Sequence, residues 1–88
     1  MNSRKAYQAV EEWRTNRSDV RFEKFCAVIE HFGFRCRGGK GSHKVYVRDG
    51  VVENLSVQEV NSKAKPYQIK QFIDLLDRYN FIGGEHVI

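Results

Sequence analysis

Hydrophobic residues recur at helical spacing in three segments of the chain and at alternating spacing in a segment between them. Tyr7, Val10 and Trp13 are three residues apart, which predicts an amphipathic helix over residues 4–16. A second apolar series follows a polar break and stops at Gly33, a residue typical of helix C-termini. The helical stripe of this second series consists of Phe22, Phe25, Cys26, Ile29 and Phe32. The pattern therefore predicts two helices before the chain becomes extended.

The hydrophobic period changes to two after the second helix. Residues 34–37 and 42–48 alternate between apolar and polar side chains, and a glycine-rich connection at 38–41 joins them. The Asp-Gly dipeptide at 49–50 is a strong hairpin signal, and it predicts a third strand over 51–57. We therefore expect a three-stranded antiparallel meander in the centre of the chain.

A last helix is predicted after a polar linker over 58–65. Pro66 fits the first turn of a helix, where its missing N–H costs nothing. The apolar stripe that follows consists of Ile69, Phe72, Ile73, Leu76 and Tyr79. Two glycines end this helix, and residues 83–88 are expected to form a loose tail.

These elements predict an α+β fold in a single domain. A chain of 88 residues, 41% hydrophobic and 30% charged, has material for one core. The apolar faces must pack together, which favours a two-layer sandwich of order α-α-β-β-β-α, with a three-stranded antiparallel sheet and the helices on one face. We expect an extra N-terminal helix at 4–16, a core at 21–82 and a tail at 83–88. The sheet residues expected to face the helices are Phe34, Cys36, Val45, Val47, Val51, Leu55 and Val57.

Composition excludes several classes of protein. No apolar run approaches the length of about 20 residues that spans a membrane, and the N-terminus lacks a secretory pattern. A cytoplasmic protein without membrane contact is therefore expected. Cys26 and Cys36 have no repeated spacing, so they indicate neither a disulfide framework nor a zinc site, and both are interpreted as buried apolar residues.

The positive charge is concentrated in one segment. Residues 34–48 carry five basic and no acidic side chains, whereas the whole chain has a net charge of +4. Such a block favours an anionic partner, most simply a nucleic-acid backbone, although a basic protein can also be basic for solubility alone. Strand alternation predicts an outer face made of Arg35, Arg37, Lys44, Tyr46 and Arg48. Its cations could hold phosphates and its tyrosine could stack a base, while the alternative is a merely solvated face.

Candidate chemistry centres on His43. The glycine-rich stretch before it lies between two strands and lacks the Walker spacing, so a nucleoside-triphosphate loop is rejected. An imidazole can give or take a proton near neutral pH, as metal-free RNA cleavage requires, and Lys40 and Lys44 would supply positive charge. The alternative is a histidine that only hydrogen-bonds a turn. His31 and His86 have no spacing that completes a metal site with it.

The stretch Gly41-Ser42-His43-Lys44-Val45-Tyr46 resembles the HicA toxins of bacterial and archaeal toxin-antitoxin pairs. That family has a double-stranded-RNA-binding-domain-like (dsRBD-like) fold and a Gly-Ser-His motif with an aromatic residue three positions after the histidine. The Lys-Pro step at 65–66 is also similar, and the resemblance covers residues 21–82. Many members carry a second histidine before that step, but residues 58–63 contain none.

The resemblance implies a type II toxin, a metal-independent and ribosome-independent endoribonuclease that cleaves messenger RNA without a cofactor. It implies that His43 is the catalytic residue and that a HicB-type antitoxin covers the site. The residues expected to contact RNA are Lys40, Ser42, Lys44, Tyr46, Arg35, Arg37, Arg48, Lys63 and Lys65. The group that carries out the second proton transfer could be His43 itself, water, Tyr46 or Ser42.

Two further alternatives stay open at the level of sequence. A noncatalytic double-stranded-RNA-binding module could use the same basic surface, recognising RNA largely by its shape. The N-terminal helix at 4–16 is interpreted either as an extension of the core through Trp13 or as a surface that contacts the antitoxin.

Overall fold

The computed structural model describes residues 1–82, which form three helices and a four-stranded antiparallel sheet. The elements are α1 (Ser3–Thr15), α2 (Phe22–His31), β1 (Arg35–Gly38), β2 (His43–Val47), β3 (Leu55–Val60), β4 (Lys63–Ala64) and α3 (Pro66–Arg78). The sheet order is β1-β2-β3-β4, so each strand pairs with its neighbour in sequence. The α+β prediction is confirmed, with four strands where three were predicted. The predicted tail at 83–88 lies outside the described residues.

Helix α1 is part of the hydrophobic core. The side chain of Asn2 caps it by accepting a hydrogen bond from the backbone N–H of Lys5 at 2.9 Å. Trp13 is 1% exposed and packs edge-on against Phe25, with ring centroids 5.8 Å apart. The buried residues of α1 are Ala6, Ala9, Val10 and Trp13. The interpretation of residues 4–16 as a core extension is therefore confirmed.

Phe72 of α3 lies at the centre of the aromatic core. It makes edge-to-face contacts with Phe25 of α2, with Phe32 at the C-cap of that helix and with Phe34 just before β1, at centroid distances of 5.9, 6.0 and 5.9 Å. Such contacts add about 0.5–1.5 kcal/mol each beyond the burial of their apolar area. Both helices and the sheet are thus fixed around one ring. None of the three helices within residues 1–82 is long and apolar enough to cross a membrane.

The hairpin between β1 and β2 depends on Gly39. Its φ of +115° lies in a region that favours glycine, and a Cβ at this position would come within 2.3 Å of the carbonyl oxygen of His43. The register shifts between Cys36 and Gly38, so a bulge precedes the turn. The backbone N–H of His43 donates to the Lys40 carbonyl at 3.0 Å. His43 is therefore the first residue of β2, as the sequence predicted.

The third strand begins later than predicted. A turn does form at the Asp-Gly dipeptide, where the N–H of Val51 donates to the Arg48 carbonyl at 3.0 Å and Gly50 has a φ of +88°. However, the β2–β3 ladder ends at the pair Tyr46 and Leu55. The turn is therefore part of a longer connection, and β3 starts at residue 55 and not at residue 51.

The predicted linker at 58–65 is instead the end of β3, a tight turn and β4. Asn61 and Ser62 have φ values of +52° and +68°, the pattern of a two-residue type I′ hairpin turn. The N–H of Ala64 donates to the carbonyl of Val20 at 2.8 Å, which attaches β4 to the segment before α2. The fourth strand forms because this hairpin docks on that segment.

Strand β2 presents the opposite face to the one predicted. Tyr46 is fully buried under the helices, whereas Val45 and Val47 are only half-buried and lie on the other side of the sheet. The burial of Tyr46 is possible because its hydroxyl donates to a carboxylate oxygen of Glu30 at 2.7 Å. Its hydrophobic ring can then join the core without leaving a polar atom unsatisfied. The placement of Tyr46 on the outer face was therefore wrong.

The predicted environments of Cys36 and Arg48 are also corrected. Cys26 is buried as expected, but Cys36 is exposed because it lies on the edge strand, while α2 packs on β4 and α3 packs on β3. Arg48 does not belong to an outer cationic face, because its guanidinium lies 3.5 Å from the ring centroid of Phe81. Of the sheet residues expected in the core, Phe34, Leu55 and Val57 are buried.

Candidate nucleic-acid interface

The helices cover one face of the sheet and leave the other accessible. We call this accessible side the open face, defined by His43, Val45 and Val47 on β2 and by Ser56 and Gln58 on β3. These residues alternate with the buried Tyr46, Leu55 and Val57 along the two strands. His43 is exposed on this face.

His43 belongs to a row of polar residues that crosses the open face. Its partner on β3 is Gln58, and the neighbouring pair of β3 and β4 is Glu59 with Ala64. The next position beyond Ala64 is Lys65, whose backbone remains extended, with φ of −76° and ψ of 129°. In an antiparallel register this position is opposite Gln58, and residues directly opposite each other share a face, with Cβ atoms about 4.5–5.5 Å apart. The sheet therefore brings His43, Gln58 and Lys65 together.

The first turn of α3 is attached to this row through Gln68. Strand β4 ends before it can pair with the N–H of Gln58, and the buried side chain of Gln68 accepts that bond through Oε1 at 2.9 Å. The Nε2 of the same amide donates to the hydroxyl of Tyr67 at 3.3 Å. The ammonium of Lys65 lies 5.9 Å from the ring centroid of Tyr67. The side-chain amide of Gln68 therefore connects Tyr67 with Gln58 of β3 through two hydrogen bonds.

The hairpin before His43 supplies further cations. Lys40 is exposed next to Gly39, and Arg35 and Arg37 are exposed on β1. Arg35 makes only a solvent-exposed ion pair with Asp49, with an N–O distance of 3.4 Å, and such pairs contribute little to stability. The exposed Lys40 therefore lies next to the start of β2, whereas Arg35 lies opposite Val47 at its end, and accessible positive charge of this kind attracts a polyanion.

Ser42 is exposed beside His43, but neighbouring residues of an extended chain point in opposite directions. Its carbonyl accepts the N–H of Glu59 at 2.8 Å, which continues the ladder by one bond. The backbone of Ser42 therefore helps to hold the hairpin.

Other residues predicted to contact RNA lie elsewhere. Tyr46, Lys44 and Arg48 occupy the positions of β2 and its extension that alternate toward the helix side. Lys63 is on the same side as His43, but its ammonium pairs with the carboxylate of Asp19, and this contact lowers the pKa of Asp19. The structure therefore places Lys40 in the turn before His43 and Lys65 on the open face beyond Gln58, whereas Arg35 lies opposite Val47 at the other end of β2 and Arg37 lies in the bulge of β1.

Tyr46 is also unsuited to proton transfer. Burial, and then the hydrogen bonds to Glu30 and Cys26, raise the pKa of its hydroxyl well above the ordinary value. Burial likewise raises the pKa of the Cys26 thiol. Both groups stay protonated at neutral pH, on the side of the sheet opposite His43. Within residues 1–82, His, Cys, Asp and Glu side chains form no group of three or more that could hold a metal ion.

Sequence reasoning missed Gln58, Tyr67 and Gln68. The alternation from Leu55 onward continues to Gln58 and could have placed it beside His43, but the segment was interpreted as a linker. Gln68 precedes the first apolar residue of the α3 stripe, Ile69, and no local pattern distinguishes it from a surface glutamine. Gln68 accepts the Gln58 N–H only because β4 ends at Ala64, which the sequence pattern does not reveal.

Comparisons with known proteins identify no relative: no family model, curated protein or solved structure matches the chain. A functional conclusion therefore depends on the residues themselves. Chemically, the site combines an exposed imidazole with flexible ammonium groups on an accessible surface. Such a surface can offset the charge of a bound anion and offers a side chain able to transfer a proton.

Proposed function

We propose that the protein is a metal-independent endoribonuclease that cleaves messenger RNA, with His43 as the catalytic residue. One observation carries the proposal. The imidazole of His43 is exposed on the open face, at the point where the glycine hairpin presents Lys40 and the cross-strand row presents Lys65. A histidine that only stabilised a turn would have no need of cations on both sides.

The reaction needs two proton transfers and stabilisation of negative charge. The 2′-hydroxyl loses a proton as its oxygen attacks the adjacent phosphorus, and the 5′-oxygen gains a proton as it leaves. The products are a 2′,3′-cyclic phosphate and a 5′-hydroxyl. His43 carries one proton, or both in succession with the help of water, while Lys40 and Lys65 offset charge on the phosphoryl oxygens. Tyr46 has no part, because it is buried on the other side of the sheet.

The resemblance to HicA toxins supports a more specific assignment. The Gly-Ser-His motif at 41–43 lies between two antiparallel strands, and the elements from α2 through β1, β2 and β3 to α3 follow the order of a dsRBD-like fold. In this proposal β4 is a two-residue addition to that fold. The protein is the toxin of a type II pair in the cytoplasm, and a HicB-type antitoxin covers the open face.

Growth arrest on expression tests the catalytic assignment. We expect His43→Ala to abolish arrest while leaving the thermal unfolding midpoint and antitoxin binding unchanged, because the side chain is exposed. His31→Ala is the matched control, since His31 lies on α2 with its Nε2 3.2 Å from the Ser3 hydroxyl. This control should still arrest growth. A folded His43→Ala variant that remains fully toxic would refute the proposal.

Salt dependence of RNA binding tests the cations. Each cation that neutralises a phosphate of single-stranded RNA contributes to the salt dependence of binding. Its removal reduces the magnitude of the slope of log binding constant against log salt concentration by about 0.7. We expect this reduction for Lys40→Ala and for Lys65→Ala, whereas Lys5→Ala, at an exposed residue of α1, should leave the slope unchanged. A protein that prefers duplex RNA and never shortens it would be the noncatalytic module and not a nuclease.

A further inference from the structure

The described part of the chain exposes one large aromatic ring, and it lies next to the proposed catalytic row. Tyr67 is 57% exposed, whereas the other Phe, Trp and Tyr rings within residues 1–82 are buried or half-buried. Exposing such a ring forgoes the stabilisation that burial of its apolar area would bring. Tyr46, which the sequence suggested as a base-stacking residue, is fully buried and cannot serve.

We propose that Tyr67 is the stacking platform for an unpaired base of RNA bound at His43, and that Lys65 holds a phosphate next to that base. This inference rests on the proposed ribonuclease function and specifies its substrate class, a strand whose bases are free to leave their neighbours. It adds a residue that the motif around His43 does not contain.

The position of Tyr67 relative to His43 is fixed by the backbone and by one buried amide. Gln68 accepts from the N–H of Gln58 at 2.9 Å and donates to the Tyr67 hydroxyl at 3.3 Å. Gln58 is the cross-strand partner of His43. Because Gln68 is only 6% exposed, this link is held by the core and not by a mobile surface side chain. A pre-positioned ring loses little conformational entropy when a base stacks on it.

Lys65 places a positive charge beside the ring of Tyr67. Its ammonium lies 5.9 Å from the Tyr67 ring centroid, and its extended backbone follows the last β3–β4 pair, Glu59 with Ala64, so that it continues toward Gln58 on the open face. A cation beside the ring, on the face of the sheet that also carries His43, can bind the phosphate of a stacked nucleotide. Bases within a duplex are already stacked on each other, so a duplex cannot use the ring.

The test measures RNA binding without cleavage, in a His43→Ala background. Fluorescence anisotropy with a labelled single-stranded oligonucleotide should show that Tyr67→Ala weakens affinity about 5- to 150-fold, the range measured for loss of one stacked base. Tyr67→Leu keeps the apolar bulk but lacks the aromatic face, and it should weaken binding similarly. Tyr67→Phe keeps the aromatic face but loses the bond to Gln68 that positions it, so it should weaken binding less than Tyr67→Ala does. Val52→Ala, at an exposed apolar residue of the β2–β3 connection, is the control and should bind like the parent.

A series of oligonucleotides, each with one abasic position, identifies the stacked base. One abasic position should weaken binding to the parent but not to Tyr67→Ala, because the two changes remove the same contact. A structural role for Tyr67 would not produce this position-specific coupling. If Tyr67→Ala and Tyr67→Leu bind like the parent, or if duplex RNA binds as well as single strands, the stacking inference is overturned while cleavage by His43 stands. If the protein neither binds nor cleaves RNA, the proposed function itself fails.

Discussion

Replacing Gly39 with alanine perturbs the turn that sets the start of β2. At its φ of +115°, a Cβ would lie 2.3 Å from the His43 carbonyl oxygen and 2.9 Å from the Cα of Lys44. Both atoms belong to the backbone of a paired strand, so they cannot move aside without disturbing the ladder. The strained backbone alone costs about 1–3 kcal/mol, and the clash adds to it, so we expect the stability to fall by about 3 kcal/mol. Any local relief of this strain would displace His43.

Gly41 provides the matched control two residues away. Its φ is +58°, but a Cβ there would meet nothing within 4 Å, so Gly41→Ala should cost only about 1–2 kcal/mol. Thermal unfolding followed by circular dichroism should show a midpoint about 4–8 °C lower for each kcal/mol of destabilisation. Gly39→Ala should also lose RNA cleavage per folded molecule, which Gly41→Ala should largely retain. Equal midpoints and equal cleavage for the two variants would refute this account of the hairpin.

Three further predictions concern the core and its charges. Tyr46→Phe removes the bond to Glu30 and should destabilise the protein by about 1–2 kcal/mol in urea unfolding, while RNA cleavage per folded molecule stays unchanged. Trp13→Ala should cost about 3–5 kcal/mol, because α1 belongs to the core; a change near zero would show that it does not. The guanidinium of Arg14 lowers the pKa of Asp77, so this carboxylate stabilises the fold above its unfolded pKa of about 3.9, and the contribution disappears as pH falls through the folded pKa. Stability measured by urea unfolding should therefore fall less steeply below about pH 4 in Asp77→Asn than in the wild type.

The helices were predictable because their signals are local. Residues 4–16 were expected to be helical and α1 spans Ser3–Thr15, since the apolar stripe lies within the segment and the Asn2 cap immediately precedes the helix. Pro66 likewise identified the start of α3. A helix that carries its own cap and its own apolar face needs little information from the rest of the chain.

The face of β2 was not predictable from its own pattern. Val45 and Val47 alternate with Tyr46 in a way that suits burial of either side. The choice is made elsewhere, by the β3 register that pairs Tyr46 with Leu55 and by Glu30 of α2, which accepts the tyrosine hydroxyl. Tertiary contacts of this kind override a period-two pattern.

The candidate site was predictable only in part, for the same reason. His43 was expected at the start of β2, and it is found there because the glycine turn is a local feature. The row that joins His43 to Gln58 and Lys65 requires β4, and β4 requires contact with the segment before α2. These contacts join residues that are far apart in the sequence, so no local sequence pattern could predict the row.

Incubation of the purified protein with single-stranded RNA in EDTA, with mass spectrometry of the fragment ends, determines whether the protein cleaves RNA without a metal. We expect shortened fragments that end in a 2′,3′-cyclic phosphate and begin with a 5′-hydroxyl, and we expect intact RNA with a folded His43→Ala variant. Intact RNA with the wild-type protein, or equal cleavage by both proteins, would contradict the proposed function.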